Sequence, residues 1–265
     1  MTALEALVWG ISAYVVVFSV IIGSAWLASR WIMPALGIGR IIDTRPIPPG
    51  QVGHELRQSA ITILIYGVGV VIPWAMLHFG WARLAIDPPA WQIALELAVL
   101  FVWNDVHFWG WHRLLHTRRM FRFHRAHHRS VIPTPVAVYS FHPVEALMLG
   151  SVILVPMMLH DFSIWSLMAI PFGNIVLTGI GHANYDWAPS AATRHWLALS
   201  RRHCLHHARP SRNFGFQFTF MDRLFGTLQQ DDLRVVPAAP ATAGAHQAAK
   251  PPVGVAPIVT LRTPA

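Results

Sequence analysis

Eight histidines fall in three short runs. His112 and His116 lie in DVHFWGWHRLLH, His124, His127 and His128 in HRAHH, and His203, His206 and His207 in HCLHH. Neutral imidazole is the commonest protein metal ligand. Spacings of three and four put side chains on one face of a helix, a turn apart. His112 and His116 can therefore face one point, His124, His127 and His128 another, and His203, His206 and His207 a third. All three runs sit at the ends of apolar segments, so they can meet on one side of a membrane as a single polynuclear metal site. Two transition-metal ions need about eight to ten ligands between them. His182, in GHANYD, comes back to the same level and makes a ninth candidate. All-imidazole ligation suits iron, zinc or copper. A basic loop resting on lipid headgroups would explain the charge, but not the triple recurrence of the spacing.

The neighbours of these runs divide by position. Asp105 lies two helical turns before His112 on the same face, where a buried carboxylate could hold a ligand imidazole in its tautomer. His107 falls off that face and reads as a packing histidine. His142 precedes an apolar run, and Glu145 falls in its first turn, where a negative charge suits the helix dipole. His54, His195 and His246 lack the spacing, although His195 is close to the third run. Cys204 sits inside the third run but off its ligand face. Asn213, Gly215, Asp222 and Arg223 belong to NFGF and MDRLFGT, a segment read as packing under the site, with Asp222 and Arg223 a candidate ion pair.

The rest of the chain must carry these groups in a bilayer. Of its 265 residues 54% are hydrophobic and 12% charged; a soluble domain has about twice that charged fraction. Apolar runs at 7–28, 59–79, 91–111, 144–159 and 162–180 predict four to five spans, the last two forming a hairpin turned at His160 and Asp161. The first run, with no basic stretch before it, reads as a retained anchor. The third carries Glu96, Asn104, Asp105 and His107, so it must face protein. The net charge is +8, and the arginines flank apolar runs, which favours anionic lipid over nucleic acid. The loops holding Arg30 to Arg57, Arg113 to Arg129 and Arg194 to Arg223 share one side, against Arg83 on the other. The positive-inside rule then puts the N-terminus outside and every histidine run in the cytoplasm. The single cysteine excludes a disulfide framework. The absence of H-E-x-x-H excludes a zinc protease of that motif. A metal transporter would spread its ligands along a pore rather than gather them at one face.

The three histidine boxes, together with NFGFQFTFMDRLFGT, resemble the fatty acid hydroxylase/sterol desaturase superfamily from Asn104 to Leu228. The resemblance implies an integral membrane, non-haem di-iron oxidoreductase. Such an enzyme uses O2, and reducing equivalents from a separate donor protein, to hydroxylate or desaturate an unactivated carbon of a bilayer lipid. Hydroxylation of a fatty acyl or sterol-like substrate is the leading expectation, with a desaturase on the same site or a membrane metal-binding protein as alternatives. The expected fold is all-α: an integral membrane helical bundle with a cytoplasmic helical cap holding two irons. Residues 1–90 are read as an N-terminal membrane anchor, 91–228 as the catalytic domain, and 229–265 as a disordered Ala- and Pro-rich tail.

Overall fold

The structure, a computed structural model, describes residues 1–192 and 194–229. The expected tail lies outside the described residues apart from Gln229. The fold is all-α apart from one antiparallel pair of two-residue strands.

Helix α1, Ala3–Leu27, starts from a reciprocal cap in which the Thr2 amide donates to Glu5 Oε2 at 2.8 Å and the Glu5 amide to Thr2 Oγ1 at 3.2 Å. It runs on through a π-helical turn at Ala28–Ile32 and a last turn at Met33–Ala35. After β1, Arg40–Ile41, the next span is α2, Gln51–Gly69, and α3, Val71–His78, which part at Val70, just before Pro73. A proline ring displaces the preceding turn, and the break sits where it must. Then come α4, Ala90–Leu115, and the short α5, Phe121–His128. The fourth apolar run is broken into α6, Pro143–Gly150, a 3-10 turn at Ser151–Ile153, and α7, Leu154–Leu159. Helix α8, Ile164–Gly181, leads to β2, Tyr185–Asp186, then to α9, Leu199–Ala208, and α10, Phe220–Leu224. Among the described residues four helical stretches, at Ala3–Ala35, Gln51–His78, Ala90–Leu115 and Ile164–Gly181, are long and apolar enough to cross a bilayer, and Pro143–Leu159 is a shorter fifth. The chain is a multi-pass membrane protein.

The first two spans cross closely. A Cβ on Gly10 would lie 2.6 Å from the Gly67 carbonyl, and one on Gly67 would lie 2.6 Å from Ile11. Small residues at a crossing let helix backbones approach in lipid, where packing rather than hydrophobic transfer holds helices together. Phe18 and Ile22 of α1 and Ile63 of α2 then pack in one cluster with Val138, Phe141, Ala146 and Ile175. The expected anchor and the expected catalytic region therefore share a core.

Part of the basic loop expected between Arg113 and His142 is instead interior: residues 132–141 are buried. Helix α2 supplies the polar partners that make this possible. Gln51 Nε2 donates to the Ile132 carbonyl at 2.7 Å, Thr134 Oγ1 to Glu55 Oε2 at 2.6 Å, and Ser59 Oγ to the Val136 carbonyl at 2.9 Å. Buried backbone must find such partners. At the same end of the bundle β1 pairs with β2, and Asp186 accepts from Arg40 Nε and faces Arg201 Nε, each at 3.3 Å. This ties the link between the first two spans to the exit of α8 and to α9. Asn104 and Asp105 are buried, as their place in the third span requires. Glu96 is buried too, and its Oε2 accepts the Ser163 amide at 2.9 Å where the hairpin turns.

Candidate metal centre

Four helix ends deliver the nine histidines. His112 is in the last turn of α4 and His116 is its C-cap; His124, His127 and His128 end α5; His182 is the C-cap of α8; His203, His206 and His207 lie on α9. The C-terminal end of a helix carries partial negative charge and favours a cation.

The histidines gather in two groups. One holds His112, His116, His124, His128 and His206, the other His127, His182, His203 and His207, and within each the donor atoms lie within 4.8 Å of one another. The runs are therefore interleaved rather than each facing its own point. Pairs four apart, such as His112 and His116, His124 and His128, or His203 and His207, stay together. Residues three apart, His124 and His127 or His203 and His206, go to opposite groups. Four residues overshoot a full turn by about 40° while three fall about 60° short. A helix wedged between two centres can thus serve both.

The ring nitrogens show what the groups can hold. His112 Nδ1 donates to the Phe214 carbonyl at 2.7 Å, His182 Nδ1 to that of Thr178 at 2.8 Å, and His206 Nδ1 to that of Arg212 at 2.7 Å. His124 Nδ1 meets Glu145 Oε1 at 2.6 Å. A carbonyl only accepts, so the Nδ1 atoms of His112, His182 and His206 carry the proton and their Nε2 atoms present lone pairs, and an ionised Glu145 gives His124 the same tautomer. Yet His112 Nε2 faces His124 Nε2 at 3.2 Å, and His182 Nε2 lies 3.3 Å from His127 Nε2 and 2.7 Å from His203 Nε2. Where both nitrogens present a lone pair, as in His112 facing an imidazole held by an ionised Glu145, that distance is repulsive unless a cation binds the two. Ligands at right angles on a metal with bonds of about 2.1 Å are about 3 Å apart, which is the spacing seen. The residues fit a metal ion in each group.

Burial keeps the imidazoles neutral. It lowers the pKa of His182 and of His206 to about 4 despite their carbonyl partners. For His124, His127, His128, His203 and His207, burial and then the neighbouring rings hold the pKa well below the ordinary value. Protons do not compete for the lone pairs at neutral pH.

Several sequence expectations are corrected here. Asp105 does not hold an imidazole: its Oδ1 accepts the amides of Gln217 at 3.2 Å and Phe218 at 3.1 Å. The carboxylate on a histidine is Glu145, 1% exposed and turned from its helix start toward His124. Asp222 makes no ion pair with Arg223 among the described residues. It accepts from Trp109 Nε1 at 3.1 Å, from the Phe214 and Gly215 amides at 3.1 and 2.8 Å, and from Thr227 Oγ1 at 2.6 Å. Asp222 thus folds the loop whose Phe214 carbonyl orients His112. A Cβ on Gly215 would sit 2.9 Å from the Asp222 carboxylate and 2.8 Å from the Phe218 carbonyl, so the loop needs glycine there. His142 caps α6 by accepting the Val144 amide at 3.2 Å, and His195 caps a 3-10 turn by accepting the Leu197 amide at 3.2 Å; neither joins a group. His107 accepts from Trp111 Nε1 at 3.0 Å. Burial raises the Cys204 pKa to about 12, so its thiol stays protonated.

Two cavities adjoin the histidines. A void of about 10 Å³ touches His112, His124, His127, His182 and His203, no larger than one water molecule. A second, of about 110 Å³, is lined by residues of α1, α2, α4 and α8, among them Tyr14, Tyr66, Asn104 and Asn174. Phe108, Phe141, Leu149, Thr178 and Phe216 line both and make up the neck, the wall that the two cavities share.

Residues 97–227 match the fatty acid hydroxylase family. The very-long-chain aldehyde decarbonylase GL1-11 of Oryza sativa subsp. indica is 29% identical over 189 residues, covering 64% of this chain and 68% of its own. The Delta(7)-sterol 5(6)-desaturase erg3C of Aspergillus fumigatus is 25% identical over 203 residues, 68% of this chain and 63% of its own. Methylsterol monooxygenase 1 of Rattus norvegicus is 27% identical over 171 residues, 62% of this chain and 56% of its own. No solved structure matches the chain significantly.

Proposed function

We propose, from the match at residues 97–227 and the similarity to enzymes named for lipid oxidation, that the chain is an oxidoreductase of the fatty acid hydroxylase/sterol desaturase superfamily that hydroxylates an unactivated C–H of a fatty acyl or sterol-like lipid at two iron ions. O2 is the co-substrate, and electrons come from a separate donor protein. The observation that carries the reading is the convergence of nine histidines into two groups whose Nε2 atoms face one another.

His112, His116, His124, His128 and His206 would hold one iron, and His127, His182, His203 and His207 the other. Bound there, the irons would supply activation of O2 toward an unactivated C–H bond. The chain supplies the geometry. Glu145 and the Phe214, Thr178 and Arg212 carbonyls keep the Nδ1 protons in place, so Nε2 stays directed inward. Phe108, Leu115, Phe141 and Phe216 close the inner void against water. The neck lets a carbon of a lipid in the larger cavity approach the histidines. Asp105 acts one step further out, holding the Gln217 and Phe218 backbone.

Lipid mass spectrometry of a host with and without the protein tests the reading. A new lipid heavier by one oxygen is expected. Loss of two hydrogens would assign the reaction to desaturation, the activity in the name of the fungal relative. An unchanged lipid profile from iron-loaded, reductant-supplied protein would overturn both.

The N-terminus is proposed to lie outside and the histidines in the cytoplasm, on the arginine bias of the loops. Cysteine labelling of intact cells should modify Pro88→Cys and spare Thr117→Cys. The reverse pattern would invert the topology.

A further inference from the structure

Phe108, Val138, Phe141 and Leu149 give the larger cavity apolar wall, Tyr14, Tyr66 and Tyr139 add hydroxyl-bearing rings, and Asn104, Asp105, Asn174 and Gln217 form a polar patch. Asn104 and Asn174, on facing helices, donate to each other's carbonyl oxygen at 2.9 Å each way. Gln217 Nε2 donates to Asn174 Oδ1 at 3.0 Å. That contact turns the amide of Gln217 so that Oε1 points away from the asparagines. Asp105 Oδ1 is occupied by two backbone amides, which leaves Oδ2. Gln217 is 7% exposed and Asp105 0%. Gln217 Oε1 and Asp105 Oδ2 are both buried without a hydrogen-bond partner among the described residues.

A buried oxygen acceptor is costly to leave bare. Polar side chains at membrane depth that face a cavity mark a substrate path. Hydrocarbon would leave both oxygens unsatisfied. A group with one polarised hydrogen would satisfy one of them, and the residues that present them sit on the wall leading to the neck.

We propose that this cavity recognises a lipid alcohol, whose hydroxyl donates its one hydrogen to Gln217 Oε1 beside Asp105 while its hydrocarbon extends through the Phe108 and Phe216 neck toward the histidines. The proposal rests on the reading of the site as a lipid oxidase and narrows its substrate class. Gln217 and Asp105 are then specificity residues: they select the molecule and take no part in the oxidation itself.

The test uses the full chain in phosphatidylcholine nanodiscs and two matched probe pairs, cholesterol with its methyl ether and 1-hexadecanol with its methyl ether. Methylation removes the donor and keeps the oxygen and the hydrocarbon. At least one alcohol should bind about tenfold more tightly than its ether. The pair that discriminates tells a sterol from a straight-chain alcohol. Gln217→Met keeps side-chain length and should bring the ratio close to one by weakening the alcohol alone, with gel-filtration profile and metal content unchanged. Equal binding of alcohol and ether in both pairs to the unaltered protein would overturn the proposal with no variant needed, and so would an undiminished preference in Gln217→Met. Product analysis of the bound lipid, with iron, O2 and a chemical reductant, separates this inference from the reading beneath it. Oxidation with no hydroxyl preference sinks the recognition patch and leaves the oxidase. Preference with no oxidation of any lipid sinks the oxidase and leaves the patch.

Discussion

Replacing His207 by alanine is expected to abolish lipid oxidation while leaving the protein in the membrane. The spans satisfy their own backbone hydrogen bonds and fold by helix packing in lipid, which needs no metal. His207 stands against the other rings of its group, with Nε2 at 3.0 Å from His203 Nε2 and ring centroids 4.8 Å from His127. Without it, three imidazoles remain in the smaller group, and no neighbouring side chain can supply the missing lone pair in the same position. Iron should fall toward one ion per chain, and turnover should fall by at least about a hundredfold, the upper end of what a mere supporting partner of a ligand contributes. His195→Ala is the matched control, because His195 is exposed and caps a turn outside both groups. It should keep both irons and its activity. Metal analysis and product formation on the two purified variants decide the matter. Full activity in His207→Ala, or equal metal loss in both, would end the assignment of ligands to groups.

Glu145→Ala is the second large effect. The carboxylate meets His124 Nδ1 at 2.6 Å with both side chains buried. Truncation strands a buried N–H, at a cost of about 1–3 kcal/mol, and frees the imidazole to turn its Nε2 away from His112. Metal affinity of the five-histidine group, and turnover with it, should drop about 10- to 100-fold. Glu145→Gln keeps an acceptor for the Nδ1 proton and should recover most of the loss. An iron titration of the three proteins checks this. If alanine and glutamine behaved alike, the carboxylate would be acting through its charge, or not at all, rather than by fixing the ring.

The contrast between Glu145 and Asp105 shows where sequence reasoning ran out. Residue type and spacing were enough to single out the nine histidines, and hydropathy was enough to find the long helices. Those are local properties. Which carboxylate reaches which ring is decided by chain separated by many residues, since Glu145 lies 21 positions from His124. Asp105 shares a face with His112, but the His112 Nδ1 proton goes to the Phe214 carbonyl, 102 positions away. The partition of the histidines escaped for a related reason. Spacing says that His124, His127 and His128 lie on one broad face of α5; only the position of α9 and the end of α8 divides that face in two. The buried stretch at 132–141 was unreadable because its polar partners, Gln51, Glu55 and Ser59, come from another helix.

The packing of the first two spans changes what variation among relatives can mean. The family match begins at residue 97, yet Tyr14 and Tyr66, which line the larger cavity, come from helices before it. The histidine centre and these two wall residues thus come from different parts of the chain, while the rest of that wall lies within the match. Histidine boxes can stay fixed while substitutions along α1 and α2 reshape the chamber. A survey that compared only the matched region would keep Asp105 and Gln217 in view but overlook the part of the chamber that α1 and α2 supply. Swapping residues 1–90 between two such proteins would exchange part of that wall without altering a single histidine of the centre.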